Sequence, residues 1–343
     1  MARYRAARGS KRKRELSGFV VDCSLVISFT CNICGAQTSA ETIDWETPNC
    51  SGCGSNVRKR AIVYLLTREL FGEGFILPEV PRIPAIRGIG LSDDQVYAVP
   101  LAGKFDYTNT FYDREPYLDI TEPDSKLYGT YDFILSSDVF EHVPGPVERA
   151  FEQCFKLLKP GGVLCITVPS SLDENTVEHY PDLHDYAIVP LGDEQVLVNR
   201  KKDGTFEVHD RLVFHGGHGA TLEMRVFSRK QLTEKLRNAG FSEVAFQDDP
   251  VQRFGIVLQN WSRPLVARKG AFVPGPDVIR QLLQEYQSQA TVLSEVLRQK
   301  AEMSTRLSRL QSEKNVLETK LRAAAQSKWV RLGNRLGRGP RLS

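Results

Sequence analysis

Two Cys-x2-Cys pairs, Cys31–Cys34 and Cys50–Cys53, stand fifteen residues apart. Thiolates are preferred zinc ligands, and two such knuckles supply the four that close a tetrahedral site. A closed site leaves no position for a substrate, so the metal chemistry expected here is structural. Gly35 and Gly54 follow the two pairs and suit turns that aim backbone amides at sulfur. Two disulfides or reactive thiols are the competing readings, and an expected cytoplasmic location disfavours the disulfides. Cys23 stands off the pattern, while Cys154 and Cys165 fall in helical and strand contexts that suit core packing.

The histidines form a second concentration. Five of six (His179, His184, His209, His215 and His218) lie between residues 170 and 226, and the sixth, His142, stands in SSDVFEHV. Imidazole, with a pKa near about 6.5, is suited to taking a proton at neutral pH. His215 and His218, flanking Gly216-Gly217, are the leading candidates for a base, with His142 the alternative and Glu223 placed to orient one of them. Glu141, His179, His184 and Glu223 are the candidate substrate contacts. The plainer alternative is that these histidines hydrogen-bond within a polar lid and transfer nothing.

The elements that must position these groups follow from periodicity. Short apolar runs at 85–89, 105–111, 117–120, 131–135, 163–168, 244–246 and 254–259 alternate with helical patterns at 146–158 and 229–239. That alternation predicts an α/β domain around a largely parallel, doubly wound sheet of seven strands. In such sheets ligands bind beyond the carboxyl ends of the strands. The run YDFIL delivers Ser136, Ser137, Asp138, Glu141 and His142 to that edge, and VLCITV delivers Pro169 and Ser170. The stretch 170–226 is too long for a connection and reads as an insertion over the same edge.

The unit YDFILSSDVFEHV…LLKPGGVLCITVP resembles the fourth strand, helix and fifth strand of class I S-adenosylmethionine-dependent methyltransferases of the type 11-like, small-molecule branch. MRVFSRKQLTEKLRNAGFSEVAF is similar to a later helix and strand of that group, so the likeness spans residues 85–260. It implies a Rossmann-like methyltransferase sheet and S-adenosylmethionine as cofactor. It also implies cofactor contacts at Gly88 and Gly90, at Asn109 where a ribose-binding acid usually stands, at Asp119 near adenine, and at Ser137 and Asp138. The sequence departs from the family at IRGIGLS, which keeps two glycines of three and has Arg87 where an acid is usual. The acids are equally suited to capping turns.

Together with FHGGHGATLEMRVFS and the cysteine module, the chain also resembles bacterial methyltransferase-like proteins associated with surface-polysaccharide synthesis. That likeness implies a glycan or other small hydroxyl acceptor.

The chain has 343 residues, 41% hydrophobic and 25% charged, and no apolar run long enough for a membrane span. Its net charge of +3 conceals basic ends: residues 1–14 carry seven cations and residues 326–343 carry five, with no acids, around an acidic body. The organisation expected is a basic arm (1–17), a four-cysteine zinc ribbon (18–60), the methyltransferase domain (61–272), a coiled coil (277–325) and a basic tail (326–343). From Ile279 to Ala324 fourteen positions recur at alternating steps of three and four, eleven of them apolar, with Lys300 and Lys314 among the exceptions. That seam predicts a homodimer, most simply parallel, or a hetero-assembly. The tail, with Trp329, suits weak contact with an anionic membrane face. Three functions compete: an O-methyltransferase, a methyltransferase-like scaffold without turnover, and a zinc-dependent nucleic-acid binder, the last least favoured.

Overall fold

A computed structural model of the chain describes residues 26–192, 194–215, 221–326 and 328–337, apart from the side chains of His215, Val330 and Asn334. The basic arm, Cys23, His218 and the last six residues lie outside this range. The described residues form two compact units, one within 26–80 and 86–273, the other within 81–85 and 274–337.

The first unit opens with a two-stranded antiparallel ribbon, β1 (Ile27–Thr30) and β2 (Gln37–Ala40). Helix α1 (Val57–Phe71) follows. Asn56 caps it by accepting from Lys59 N–H, and Gly72, at φ 85°, closes it through a bond to the Arg68 carbonyl. Only glycine adopts that left-handed geometry cheaply.

The central sheet is built from β3 (Arg87–Leu91), β4 (Asp106–Thr110), β5 (Tyr131–Ser137) and β6 (Leu158–Thr167). Between these strands run α2 (Gln95–Ala102) and α3 (Glu148–Leu157). An insertion then contributes short strands: β7 (Ser170–Ser171), β8 (Val177–Glu178), β9 (Asp185–Leu191), β10 (Glu194–Arg200), β11 (Phe206–His209), β12 (Phe214–His215) and β13 (Thr221–Leu222). Strand β14 (Arg225–Ser228) leads into α4 (Arg229–Asn238), and β15 (Glu243–Phe246) and β16 (Leu265–Arg268) complete the domain.

The sheet order is β15-β16-β6-β5-β3-β4. Neighbours from β4 to β6 are parallel, and β16 is antiparallel to both its neighbours. The order reverses between β3 and β5, which makes the carboxyl ends of those two strands the natural ligand crevice. Residues alternate across the sheet. Ile89, Ile134, Leu164 and Ile166 pack on one face with Phe151, Leu232 and Leu236 of α3 and α4. Helix α1 covers β5 and β6 on the other face.

The sheet therefore has six strands, not seven. Tyr117–Ile120 makes only an isolated bridge, Phe111 to Tyr117. The turn before it ends in Pro116, which has no amide to donate, and Asp119 folds back on Thr121. The run 254–259 is apolar for another reason. Phe254 and Ile256 are buried with Trp45, Val57 and Ala61 of the cysteine module, and Leu265–Arg268 takes the strand position instead. Periodicity alone does not distinguish a run buried under a neighbouring module from one buried in a sheet.

The second unit is dominated by α5 (Pro276–Gln326), about 75 Å long at 1.5 Å per residue, followed by the short α6 (Lys328–Arg335). Among the described residues no helix is long and apolar enough to cross a membrane.

Candidate functional site

The four cysteine sulfurs converge within 4.8 Å of one another. Cys31 and Cys53 lie 3.7 Å apart and Cys34 and Cys50 3.6 Å apart, all four as free thiols rather than disulfides. Zinc–sulfur bonds of about 2.3 Å in a tetrahedron would set sulfurs about 3.8 Å apart, so the donor set fits that ion. The surroundings fit as well. Gly35 and Gly54 have φ of 80° and 71°, as expected of turns feeding amides to sulfur. A Cβ on Gly52 would lie 3.0 Å from Cys34 Sγ and 2.7 Å from Ala36 Cβ. Ser55 Oγ lies 3.3 Å from Cys31 Sγ, and Gly52 N–H donates to Cys50 Sγ at 3.4 Å.

At the sheet edge, the glycines of RGIGL have packing roles. A Cβ on Gly88 would strike the Phe133 ring at 2.1 Å, and one on Gly90 would strike Tyr107 Oη at 2.0 Å. Beyond β3 the chain turns at Ser92, whose φ of 55° is left-handed. Asp93 follows, buried, accepting from Tyr97 Oη at 2.7 Å and from Tyr107 Oη at 2.5 Å. Burial pushes its carboxyl up to about 7 despite those two hydrogen bonds. Asn109 is committed to the same loop. Its Oδ1 accepts from Asp93 N–H at 2.8 Å and its Nδ2 donates to the Asp93 carbonyl at 2.7 Å, so the amide holds the turn and is not offered to a ribose. Asp119 Oδ1 caps its own turn, accepting from the Thr121 amide and hydroxyl.

The end of β5 carries the second left-handed residue, Asp138, at φ 54°. Ser92 and Asp138 are the only non-glycine residues with positive φ among the described residues, and they flank the switch point. Backbone conformations of this kind persist where surrounding contacts over-determine them, and they cluster at functional sites. Asp138 Oδ1 accepts from Thr167 Oγ1 at 2.9 Å, and its Oδ2 lies 3.1 Å from Arg58 Nε. Arg58 Nη1 also donates to Ser137 Oγ at 2.8 Å. The hydroxyls of Ser136 and Ser170 are buried without a hydrogen-bond partner among the described residues, at the ends of β5 and just beyond β6.

Around this edge the turn after β5 and the insertion add acids and imidazoles. Glu141 is fully buried, and desolvation, with Asp138 and Glu223 nearby, pushes it well above the ordinary carboxylate range. His142 Nδ1–H donates to the Leu222 carbonyl at 2.8 Å, which leaves Nε2 as the basic nitrogen, 3.7 Å from Glu141 Oε1. His179 Nε2 lies 3.2 Å from Glu223 Oε1. Backbone bonds from Met224 N–H to the Glu141 carbonyl and from His179 N–H to the Met224 carbonyl draw these segments together. His184 is exposed, its amide bound by Asn199 Oδ1, and it stands outside this cluster. The backbone of His215 lies in β12, paired with Thr221.

Sequence reasoning missed four of these residues. Arg58 is a cation in the first turn of α1, where the helix dipole disfavours it, and that misfit was a usable signal. Asp93 stands just before the N-cap of α2 and Tyr97 in its first turn, four residues on, a spacing close enough for the phenol to reach back to the carboxylate. Tyr107 left no local trace, because its partner Asp93 lies in a different element, fourteen residues away.

Residues 81–245 match the family model described as a methyltransferase domain. The match covers 165 of the 343 residues and marks the chain as an enzyme, a transferase. Among solved structures, a 1,6-didemethyltoxoflavin N1-methyltransferase from Burkholderia thailandensis is 17% identical, with 62% of this chain and 78% of that chain covered and a TM-score of 0.36. An S-adenosylmethionine-dependent methyltransferase from Clostridium acetobutylicum is 13% identical, covering 54% and 84%, with a TM-score of 0.33. The CcbJ methyltransferase from Streptomyces caelestis is 12% identical, covering 63% and 90%, with a TM-score of 0.36. TM-scores below 0.5 give these likenesses no weight for substrate or mechanism. No curated protein matches the chain.

Proposed function

We propose that the chain transfers the methyl group of S-adenosylmethionine to a hydroxyl of a small acceptor, a sugar or glycan. The observation that carries the reading is the crevice between β3 and β5, which two left-handed non-glycine residues, Ser92 and Asp138, flank. The turns at Ser92 and Asp138 and the Asp119 carboxylate are the groups that would hold the cofactor, which supplies a methyl group already activated by its sulfonium. The protein's task is then alignment and proton removal. His142 is the base best supported by the described residues, since the Leu222 carbonyl fixes its tautomer and the buried Glu141 stays beside it. The glycan acceptor rests on the sequence resemblance. Zinc in the cysteine cluster is structural in this reading, and α5 joins two copies of the chain.

Calorimetric titration of zinc-loaded protein with S-adenosylmethionine tests the donor. Micromolar binding, weakened about tenfold or more in Asp119→Ala, is expected. Transfer of labelled methyl to sugar hydroxyls, lost by 10²-fold or more in His142→Ala, tests the base. A protein that binds no donor at millimolar concentration would instead be a scaffold.

A further inference from the structure

We propose that Arg58 makes the cysteine module a working part of the transfer site, so that metal held by the four cysteines raises the affinity of the β3–β5 crevice for the methyl donor. The inference rests on the donor reading above and adds a positioning residue and a dependence to it.

Arg58 lies five residues beyond Cys53, in the first turn of α1. Its guanidinium is shared between two parts of the fold. On the sheet side it donates to Ser137 Oγ at 2.8 Å and lies 3.1 Å from Asp138 Oδ2. On the ribbon side Nε and Nη2 donate to Glu46 Oε2 at 3.2 and 2.9 Å. Glu46 belongs to the loop between the two cysteine pairs. That loop is pinned to the start of α1 by Asn56 Nδ2, which donates to the Glu46 carbonyl at 2.8 Å, and by Arg58 N–H, which donates to the Trp45 carbonyl at 3.3 Å. The Arg58 side chain is 19% exposed and that of Asp138 6%, so solvent screens this pair little.

The consequence is mechanical. Cys34 and Cys50 bracket the Glu46 loop, and Cys50 and Cys53 precede α1. A metal that draws the four sulfurs to one centre fixes both the origin of Arg58 and the acid that steadies it. Arg58 in turn neutralises Asp138 while that residue is held left-handed at the end of β5. Release of the module would withdraw the Arg58 cation from the edge where the donor binds. Coupling of this kind between two sites is commonly worth about 5–150-fold in affinity.

The test is a thermodynamic cycle on the full chain, with S-adenosylhomocysteine titrated by calorimetry into zinc-loaded and chelator-stripped protein. Stripping is expected to weaken wild-type binding about tenfold, and Arg58→Ala to weaken the loaded protein by a similar factor. Stripping Arg58→Ala should then cost less than about twofold more, because the path is already cut. Arg58→Lys should recover part of the affinity. Glu46→Gln keeps every cysteine and should weaken binding at unchanged zinc content, which holds even where stripping unfolds the chain, as circular dichroism would reveal. Equal affinity of loaded and stripped protein, additive losses in the cycle, or a silent Glu46→Gln would each overturn the proposal while the donor reading stands. No binding by loaded wild type would remove the donor reading, and this inference with it.

Discussion

Asp93 shows how a single buried side chain sets a property that titration can read. Its carboxyl touches two phenols, Tyr97 and Tyr107, and has Asp94 and Arg58 as its nearest charges. Both phenols donate, which favours the ionised form, but complete burial outweighs them and lifts the group to about 7. An unfolded chain loses this proton near about pH 3.9. Between those two values the native state holds a proton that the unfolded state has released, so stability falls as pH rises from about 4 to about 7 and is level outside that window. The slope due to this group approaches about 1.4 kcal/mol per pH unit. Asp93→Asn keeps the shape and removes the titration. Denaturant unfolding from pH 4 to 8 should therefore show a flatter profile for the variant, with its relative gain largest above pH 7. Parallel profiles for the two proteins would mean that Asp93 is ionised in the fold throughout. Tyr107→Phe separates the contributions, since losing a donor to the carboxylate should move the break in the profile to higher pH.

At the scale of elements, the turn carrying Glu141 and His142 is held by β14. Arg225 is 3% exposed, and its guanidinium donates to the carbonyls of Phe140 at 3.0 Å, Val143 at 2.7 Å and Gly145 at 2.9 Å. Its Nε meets both oxygens of Glu178 at 3.0 and 3.1 Å. One planar fork thus fixes three points on a short turn, which an ammonium group cannot copy. Both Arg225→Ala and Arg225→Lys should lose about 3 kcal/mol in chemical denaturation, since each leaves buried carbonyls unpaired. Methyl transfer should fall by a further factor beyond the folded fraction, as His142 loses its fixed relation to the Leu222 carbonyl. A Lys variant with full stability and activity would reduce the clamp to a surface pair.

The same region marks what was legible beforehand. YDFIL and VLCITV, their connecting helix and the cysteine pairs were readable because each depends on local period or spacing. Gly88 and Gly90 were seen, but their reason was not. The Phe133 ring and the Tyr107 hydroxyl that demand the missing Cβ atoms arrive from neighbouring strands. Asn109 was likewise placed at the end of its strand, while its double hydrogen bond to Asp93 depends on how β3 and β4 pair. The strand at 265–268 was obscured by the stronger apolar run before it, which serves the cysteine module.

The whole molecule poses its own question in α5, whose apolar seam faces solvent as a single chain. Leu293, Val296, Leu307, Leu310, Leu317 and Leu321 are each at least half exposed. A second copy, parallel and in register, would cover them and would also join Val292 to Leu297, residues that flank the seam at g and e positions. Two charged core positions set the balance. Lys314 stands between Glu313 and Glu318, and already lies 3.7 Å from Glu318 Oε1 on its own helix, so its layer brings counter-charges. Lys300 is flanked by Gln299 and Ser304, so in a parallel pair two ammonium groups meet with no acid between them. Sedimentation equilibrium of the full chain should therefore give a dimer that Leu307→Lys converts to monomer, by adding a third charged layer at an apolar core position. Lys300→Leu should tighten it by about tenfold or more, whereas Lys314→Leu should gain less because it also strands two acids. A wild-type monomer at tens of micromolar would assign the seam to a different partner, and equal gains from the two lysine variants would argue against the parallel register.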